Sequence, residues 1–273
     1  MDTSLIRNVA SCTMANDMST VTLAIANQKG GVAKTTTVAS LGAALAELGK
    51  KVLIVDLDPQ ACLTFSLGID PEDLELSVHH VLTKGLDAAE VIIETEDGID
   101  LLPATIELAR AEADLLTRTG REYVVRSAVE DLAGYDWVLL DCPPSLGVLT
   151  VAALTAATGV LIPLQCETLS HRGVGQLLDT VHDVRRFTNK QLAVWGVLPT
   201  LYDGRTNHAR RVLETISDTY DLTVVEPPIP KSIRFAEAPA AGRSILATTR
   251  GHRGADAYRN VAVNLTKRAG AAI

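Results

Sequence analysis

The stretch from Val21 to Ser40, VTLAIANQKGGVAKTTTVAS, constrains the fold of this chain more than any other part of it. It begins with the apolar pattern of a strand, continues through a glycine-containing loop from Asn27 to Lys34, and enters a helix at Thr35. In this order of elements, the loop N–H groups and the positive end of the helix dipole form a site for phosphate. The pattern therefore predicts a phosphate-binding loop in which Lys34 contacts phosphate and the Thr35 hydroxyl binds Mg²⁺.

The loop differs from the standard G-x-x-x-x-G-K-[ST] pattern, because Gln28 and Ala33 replace its glycines and Lys29 is an additional lysine. In this form, K-G-G-x-x-K-T-T, it resembles the ParA/Soj-type partition ATPases, which are related to MinD and to the nitrogenase iron protein. The resemblance implies ATP and Mg²⁺ as cofactors. It also implies that most of the loop contacts the nucleotide, through Lys29, Gly30, Gly31, Val32, Ala33, Lys34, Thr35 and Thr36.

Ala33 stands where glycine is expected, directly before Lys34. Glycine at this position permits backbone angles that alanine tolerates poorly, and it leaves room for the phosphate. Either the φ of Ala33 is negative and alanine is harmless, or the affinity for nucleotide is reduced. We expect the negative φ, because every other element of the loop pattern is present.

Two acidic residues, Asp56 and Asp58, follow the second predicted strand, Lys51–Asp56. Carboxylates at the carboxyl end of a strand beside a phosphate loop are well placed for Mg²⁺ and for an attacking water. The resemblance implies that Asp56 helps to hold the waters of the metal and that Asp58 positions the hydrolytic water. The alternative is a polar turn after a strand. The residues Ala61-Cys62-Leu63 depart from the Gly-Asn-Ala that is usual in the family, so the resemblance defines this segment less well.

A third acidic residue, Asp141, ends the buried strand predicted within Tyr135–Pro144 (YDWVLLDCPP). This layout matches the one in which an acid holds Mg²⁺ through water at the carboxyl edge of a sheet. The alternative for Asp141 is a cap on the next helix. The predicted metal ligands are Thr35, Asp56 and Asp141. The predicted catalytic residues are Lys29, Lys34 and Asp58.

Composition and periodicity predict the fold class. Hydrophobic residues make up 47% of the 273 residues and aromatic residues only 4%, which is typical of a parallel sheet covered by helices. We predict an α/β fold, a single P-loop domain with a mostly parallel twisted sheet flanked by helices on both faces. Further strands are predicted at Ile99–Pro103, Gly159–Leu164 and Leu192–Thr200. Helices are predicted at Thr35–Leu48, Ser77–Lys84, Ile106–Thr117, Arg121–Leu132 and Gly173–Phe187.

The predicted domain spans residues 21–273 and follows a flexible tail over residues 1–20. These first residues lack the charged start and apolar block of a signal peptide, and no apolar run has the length of a transmembrane helix. The four cysteines are widely spaced, which is typical of free thiols in a reducing compartment. We therefore expect a cytoplasmic protein, associated with the nucleoid if it binds DNA.

Two later segments also resemble the family. Pro227–Pro239 is similar to its I-P-x-x-x-x-x-x-E-A-P segment. A loop stiffened by proline can pack on the flat face of adenine, so Pro228 and Pro230 are candidate contacts of the base. Gln165-Cys166-Glu167, at a strand end, is similar to a Q-x-E segment, for which the sequence assigns no role.

The net charge is −8, yet residues 228–273 contain eight lysines and arginines and only two acids. A confined basic surface on an acidic protein can bind the phosphate backbone without sequence preference. The scarcity of aromatic residues argues against recognition of single strands. The resemblance implies DNA contacts by Arg205 and Arg234, and Lys231 lies in the same basic segment. The alternative is that these are ordinary surface residues in ion pairs.

Lys29 is an additional lysine in the loop, since Lys34 already occupies the place of the phosphate lysine. In the resembled family the additional lysine reaches the partner's nucleotide across a two-fold interface. The resemblance implies a homodimer formed on ATP, non-specific binding of double-stranded DNA, and weak ATP hydrolysis that a ParB-like partner stimulates. One alternative is an orphan ParA-like or MinD-like ATPase that positions another cargo or regulates division, and another is a metabolic enzyme. We expect no membrane binding, since Leu265–Ile273 lacks a bulky apolar face.

Overall fold

The computed structural model describes residues 20–167, 170–205 and 207–272. Within these ranges a seven-stranded sheet has the order β3-β4-β2-β5-β1-β6-β7. The strands are β1 (Val21–Ile25), β2 (Val52–Asp56), β3 (Ile93–Glu94), β4 (Asp100–Leu102), β5 (Trp137–Asp141), β6 (Gly159–Gln165) and β7 (Ala193–Thr200). The short strand β3 is antiparallel to β4, and the other neighbouring pairs are parallel.

Helices cover both faces of this sheet. They are α1 (Lys34–Glu47), α2 (Cys62–Ser66), α3 (Val78–Lys84), α4 (Leu108–Leu116), α5 (Val124–Val129), α6 (Val148–Ala156), α7 (Ser170–Phe187), α8 (Asn207–Tyr220), α9 (Arg234–Glu237), α10 (Ile245–Thr248) and α11 (Arg253–Ala272). Buried residues of α3 to α8 form the core on one face, and those of α1, α10 and α11 form the core on the other. The predicted α/β fold is confirmed.

The strands are apolar throughout because both faces of the sheet are covered. Successive side chains of a strand point to opposite faces. In β1, Leu23 and Ile25 pack against the α1 side, whereas Ala24 belongs to the core on the other side, and all three are fully buried. A strand that is buried on both faces has a continuous run of apolar residues, and the sequence shows such a run at this position.

The functional edge of the sheet is set by the register of its three central strands. Strand β5 lies between β1 and β2, Asp141 is aligned with Ile25 on one side, and it is aligned with Asp56 on the other. The carboxyl ends of these strands therefore stop at the same level. The loops that follow them converge there, as expected for a ligand site in an open α/β sheet.

The predicted tail over residues 1–20 lies outside the described residues except for Thr20, and so does Cys12. Cys62, Cys142 and Cys166 are free thiols, as predicted. Among the described residues, no helix combines the length and apolar character needed to cross a membrane. The domain boundary at residue 21 stays a prediction.

Candidate nucleotide-binding site

The loop between β1 and α1 turns into the helix through two residues with left-handed backbone angles. Gly31 has φ 73° and Ala33 has φ 63° and ψ 36°. The expectation of a negative φ at Ala33 is therefore wrong. Ala33 directly precedes α1, and its carbonyl oxygen accepts the hydrogen bond of Thr37 N at 2.9 Å, which closes the first helical turn. The chain reverses within a few residues here, and this reversal requires the left-handed angles that glycine adopts more easily.

Lys34 is buried at the start of α1, with its Nζ 3.4 Å from the carbonyl oxygen of Lys29. Burial lowers the pKa of the Lys34 ammonium, and the nearby carboxylate of Asp141 opposes this shift. A positive charge held inside the loop with few partners is suited to phosphate oxygens. The role of Lys34 as the phosphate lysine stays a prediction.

Two side chains that the sequence did not single out hold the loop in place. Asn27 is buried, donates from Nδ2 to the carbonyl oxygen of Pro163 at 2.8 Å, and accepts the N–H of Lys29 at 3.0 Å. Thr200, at the end of β7, donates to the carbonyl oxygen of Val32 at 3.0 Å. These bonds anchor the two halves of the loop to β6 and β7. Pro163 and Thr200 are both far from the loop in sequence, so no local pattern predicts these bonds.

The ammonium of Lys29 forms an ion pair with the carboxylate of Glu167, just beyond β6. Both side chains are partly exposed, 35% for Lys29 and 52% for Glu167. The sequence assigned no role to Glu167, although its Q-x-E segment resembled the family. The structure gives it a partner within the phosphate loop.

Both carboxylate oxygens of Asp141 are buried, and neither accepts a hydrogen bond of normal geometry from the described residues, although the Thr35 hydroxyl is near enough to stabilise the charge. Burial raises the pKa of this carboxyl well above its usual value, and the nearby Asp56 raises it further, while Thr35 and Lys34 act in the opposite direction. An unpaired buried carboxylate is costly unless a cation compensates it. Oxygen ligands beside a phosphate site suit Mg²⁺. The surroundings of Asp141 therefore fit a magnesium ion.

Asp56 is fully buried, and its oxygens accept three hydrogen bonds. The donors are Asp58 N at 3.1 Å, Thr64 N at 3.0 Å and the Thr64 hydroxyl at 2.8 Å. Burial raises the pKa of Asp56 to about 6, against the effect of these bonds. The Thr64 hydroxyl also accepts from Ala104 N at 3.0 Å, which joins the loop after β4 to this carboxylate. Asp56 is thus better placed to act through waters of the metal than as a direct ligand.

Asp58 is half-buried at the same edge, and one of its oxygens accepts Gln60 N at 3.0 Å. Its charge contributes to the raised pKa of both Asp56 and Asp141, which places it beside the metal site. Among the described residues, no three His, Cys, Asp or Glu side chains are grouped as a metal centre. A magnesium ion here would take its other ligands from the Thr35 hydroxyl, phosphate and water.

The segment with the candidate base contacts lies along the end of β7. Ile229 N donates to Pro199 O at 2.7 Å, and Tyr202 N donates to Ile229 O at 2.9 Å. Because β7 also holds the phosphate loop through Thr200, Pro228 and Pro230 lie on a segment next to that loop. Their contact with adenine stays a prediction.

The three candidate DNA contacts are exposed, and two of them have intramolecular partners. Arg205 is 90% exposed and forms a bidentate pair with Asp203 at 2.9 and 2.8 Å. Arg234 pairs with Glu237 at 2.7 Å. Lys231 N donates to Tyr202 O at 3.2 Å, which brings the Lys231 segment beside the loop of Arg205.

Other basic residues of the carboxyl-terminal segment are neutralised by ion pairs. Arg243 pairs with Glu96 and Asp97, and Arg259 pairs with Glu47 and Asp256. These arginines hold separate parts of the domain together. The positive surface is therefore smaller than the count of residues suggests, since Arg205, Arg234, Arg243 and Arg259 all have acidic partners.

A cavity of about 720 Å³ lies at the opposite edge of the sheet, where β2 and β5 begin. Lys51, Arg118, Tyr123 and Tyr135 line it. It has no contact with the phosphate loop, so size alone does not identify the nucleotide site in this protein. Lys34, Thr35 and Asp141 lie close to one another at the carboxyl end of the strands, and this group of residues defines the candidate site.

Comparison with known proteins agrees with this geometry. A family model described as an AAA domain matches residues 20–194. The sporulation initiation inhibitor protein Soj of Bacillus subtilis (strain 168) is 43% identical over 242 residues, which are 88% of this chain and 96% of Soj. The chromosome partitioning protein ParA of Caulobacter vibrioides is 39% identical over 250 residues, which are 90% of this chain and 94% of that protein.

Solved structures show the same architecture. Cobyrinic acid a,c-diamide synthase from Mycobacterium smegmatis is 54% identical, with a TM-score of 0.82, and the match covers 91% of this chain and 95% of that one. That protein has been solved with bound ADP and magnesium and with a bound ATP analog and magnesium.

Proposed function

This chain belongs to the ParA/Soj-type family of P-loop ATPases, and on that basis we propose that it uses ATP to switch between a monomer and a DNA-bound homodimer. Its cofactors are ATP and Mg²⁺. Binding of ATP drives a dimer with the nucleotides at its interface, and this dimer binds double-stranded DNA without sequence preference. Hydrolysis is weak in the protein alone, is stimulated by a ParB-like partner, and releases the DNA. The setting is the cytoplasm, on the nucleoid.

The observation that carries the proposal is the opposite placement of the two loop lysines. Lys34 lies on the β5 side of β1, near Asp141, whereas Lys29 lies on the β6 side, paired with Glu167. This arrangement supports a role for Lys34 at the phosphates of its own protomer and a separate role for Lys29. A second copy of the chain supplies a target for Lys29.

Each residue of the site has a defined part in hydrolysis. The loop amides and Lys34 bind the phosphates, and the Thr35 hydroxyl and Asp141 hold the metal, with Asp56 acting through water. When bound, Mg²⁺ neutralises the charge that develops on the transferred phosphoryl group. Asp58 orients the attacking water. Lys29 of the partner adds positive charge at the same phosphate, in the manner of an arginine finger.

The DNA surface consists of Arg205, Lys231 and Arg234 from both protomers of the dimer. Water screens exposed ion pairs and makes them weak, so DNA phosphates can replace Asp203 and Glu237 as the partners of Arg205 and Arg234. Two such surfaces on one dimer bind a duplex together, because the second attaches as an intramolecular event. Affinity for DNA therefore depends on the nucleotide that controls dimerisation.

Sedimentation with DNA and with anionic liposomes, each with ADP or a non-hydrolysable ATP analogue, tests the proposal. We expect the protein to sediment with DNA in the presence of the analogue and to stay in solution in the other three mixtures. Sedimentation with liposomes would favour the alternative of a MinD-like ATPase that positions another cargo. Binding to DNA that is equal with both nucleotides would refute the switch.

The contribution of Arg205 is tested against a matched arginine. Arg205→Gln removes a proposed bond to a DNA phosphate, and we expect weaker binding to every DNA sequence. The salt slope should fall by about 0.9 for each phosphate that the protein no longer neutralises. Arg126→Gln is the control, since Arg126 is also an exposed arginine in an ion pair, with Glu130 at 3.5 Å. Equally weakened binding in both variants would show that only net charge matters.

Asp58→Ala separates binding from hydrolysis. The variant keeps the phosphate loop and Asp141, so we expect it to dimerise on ATP and to hold DNA while releasing little phosphate in a steady-state assay. Normal turnover by this variant would remove Asp58 from the mechanism.

The similarity to cobyrinic acid a,c-diamide synthase of Mycobacterium smegmatis favours a second candidate, a synthase that forms an amide. Incubation with cobyrinic acid, ATP, and glutamine or ammonia tests it directly. Formation of the a,c-diamide, detected by mass spectrometry, would support the synthase. ATP turnover that responds to DNA and not to these substrates supports the partition ATPase.

A further inference from the structure

The backbone of Lys29 is fixed, while its side chain is held, among the described residues, by a partly exposed ion pair. Lys29 N donates to Asn27 Oδ1 at 3.0 Å, and Asn27 is itself anchored to Pro163 at 2.8 Å. The ammonium contacts the carboxylate of Glu167, and both groups retain access to solvent. The side chain can therefore change partner without any movement of the loop.

The ion pair draws Lys29 away from the catalytic carboxylates. Glu167 follows β6, and β6 lies on the side of β1 opposite to β5, which carries Asp141. While the pair is formed, the ammonium of Lys29 is occupied on that side. It is then unavailable both to phosphate in its own loop and to phosphate in a partner.

We propose that Glu167 is a positioning residue that holds Lys29 in the monomer and releases it only to the nucleotide of a second, ATP-loaded protomer. This inference rests on the proposed function, since it concerns the step in which Lys29 reaches the partner. A triphosphate carries several negative charges and becomes desolvated at an interface, so it competes well with one exposed carboxylate. The exposed pair is weak enough to be displaced, and breaking it adds a small cost to the formation of the dimer.

Glu167→Gln tests the proposal, because the amide keeps the shape of the side chain and removes its charge. With a non-hydrolysable ATP analogue at low salt, we expect the dimer to form at a concentration about two- to fivefold lower than for the unmodified protein. The difference should disappear at about 0.5 M salt, because exposed charges are then screened. A purely structural effect of the substitution would not depend on salt in this way.

The control is Glu130→Gln, which removes the same charge from a similarly exposed ion pair on α5. Glu167→Asp keeps the charge on a shorter side chain, and we expect it to restore part of this cost to the formation of the dimer. Sedimentation velocity over a range of protein concentrations gives the dimer dissociation constant for all four proteins.

A second measurement reports on the ion pair without a dimer. In the nucleotide-free protein at low salt, we expect Lys29 to react faster with an amine-specific reagent in Glu167→Gln than in the unmodified protein or in Glu130→Gln. Peptide mass spectrometry measures the rate at Lys29 alone. Equal rates would overturn the proposal.

The outcomes separate this inference from the function on which it rests. If the unmodified protein dimerises on the analogue and Glu167→Gln dimerises equally, the role of Glu167 is wrong and the dimer stands. If all four proteins stay monomeric, the sandwich dimer and this inference are both wrong.

Discussion

Ala33→Gly is the change that tests most directly how the phosphate loop is held. Ala33 has φ 63°, in the left-handed region, and as the residue before α1 it makes no side-chain capping bond. Glycine adopts this conformation without steric cost. We therefore expect Ala33→Gly to stabilise the protein, although glycine usually destabilises a folded chain.

The magnitude follows from two opposing terms. The left-handed conformation costs an L-residue about 1–2 kcal/mol. Part of this gain, about 0.4–1 kcal/mol, is lost because glycine makes the unfolded chain more flexible and so favours unfolding. The net gain in the free energy of unfolding is therefore about 0.8 kcal/mol, the difference of the two mid-range values, which raises the Tm of a protein of this size by about 2 °C.

Scanning calorimetry of the nucleotide-free protein measures this shift, and two variants control for it. Gly31→Ala makes the opposite change at φ 73°, where an added Cβ meets no atom within 4 Å, so we expect a Tm lower by a similar amount. Ala46→Gly lies in α1 and should lower the free energy of unfolding by about 0.5–1 kcal/mol. The directions of the stability changes in these three variants together distinguish backbone strain from a general effect of glycine.

The affinity for a fluorescent ATP analogue should be unchanged in Ala33→Gly, because the loop already has the required shape. A lower Tm in Ala33→Gly would refute the argument about strain. A gain in affinity of about tenfold, or 1.4 kcal/mol, would show instead that the methyl group obstructs the phosphate.

Three further changes test other parts of the site. Lys29→Ala should bind the ATP analogue and remain monomeric in size-exclusion chromatography, and a stable dimer of this variant would contradict the proposed interface. Asp141→Asn should raise the Tm of the nucleotide-free protein at neutral pH, because burial raises the pKa of this carboxyl and an amide avoids the cost in stability of that shift. It should also abolish magnesium-dependent phosphate release. A lower Tm would mean that the carboxylate has a partner in the absence of the metal. Thr200→Val leaves the buried carbonyl of Val32 without its donor, so we expect a loss of about 1–3 kcal/mol in the free energy of unfolding and weaker nucleotide binding. Unchanged values in denaturation and titration would show that this bond does not hold the loop.

Local elements of the site follow from the sequence because neighbouring residues along the chain define them. The predicted helix Thr35–Leu48 corresponds to α1, Lys34–Glu47, and the predicted strand Lys51–Asp56 corresponds to β2, Val52–Asp56. Asp141 is likewise at the end of its strand, as predicted. A strand, a glycine loop and a helix in succession leave the chain few arrangements, and parallel strands bring their carboxyl ends to one edge.

Other elements were not predicted. They are the two-residue strand β3 and the helices α2, α6, α8, α9, α10 and α11. The basic residues of α11 were counted as a surface, whereas Arg259 of this helix is bound to Glu47 of α1. Charge counts along a sequence do not show which charges are paired after folding.

The sequence by itself determined the fold class, the phosphate loop and the acids at the strand ends, because each depends on residues that are close along the chain. Tertiary structure alone decided how the loop is held and where its lysines lie. Thr200 bonds to Val32 across 168 positions, and Glu167 bonds to Lys29 across 138. Such contacts arise only when separate strands have been brought together, and no local pattern encodes them. The bond from Thr200, together with those of Asn27, holds the loop in a shape that leaves Ala33 with a positive φ, against its own local preference.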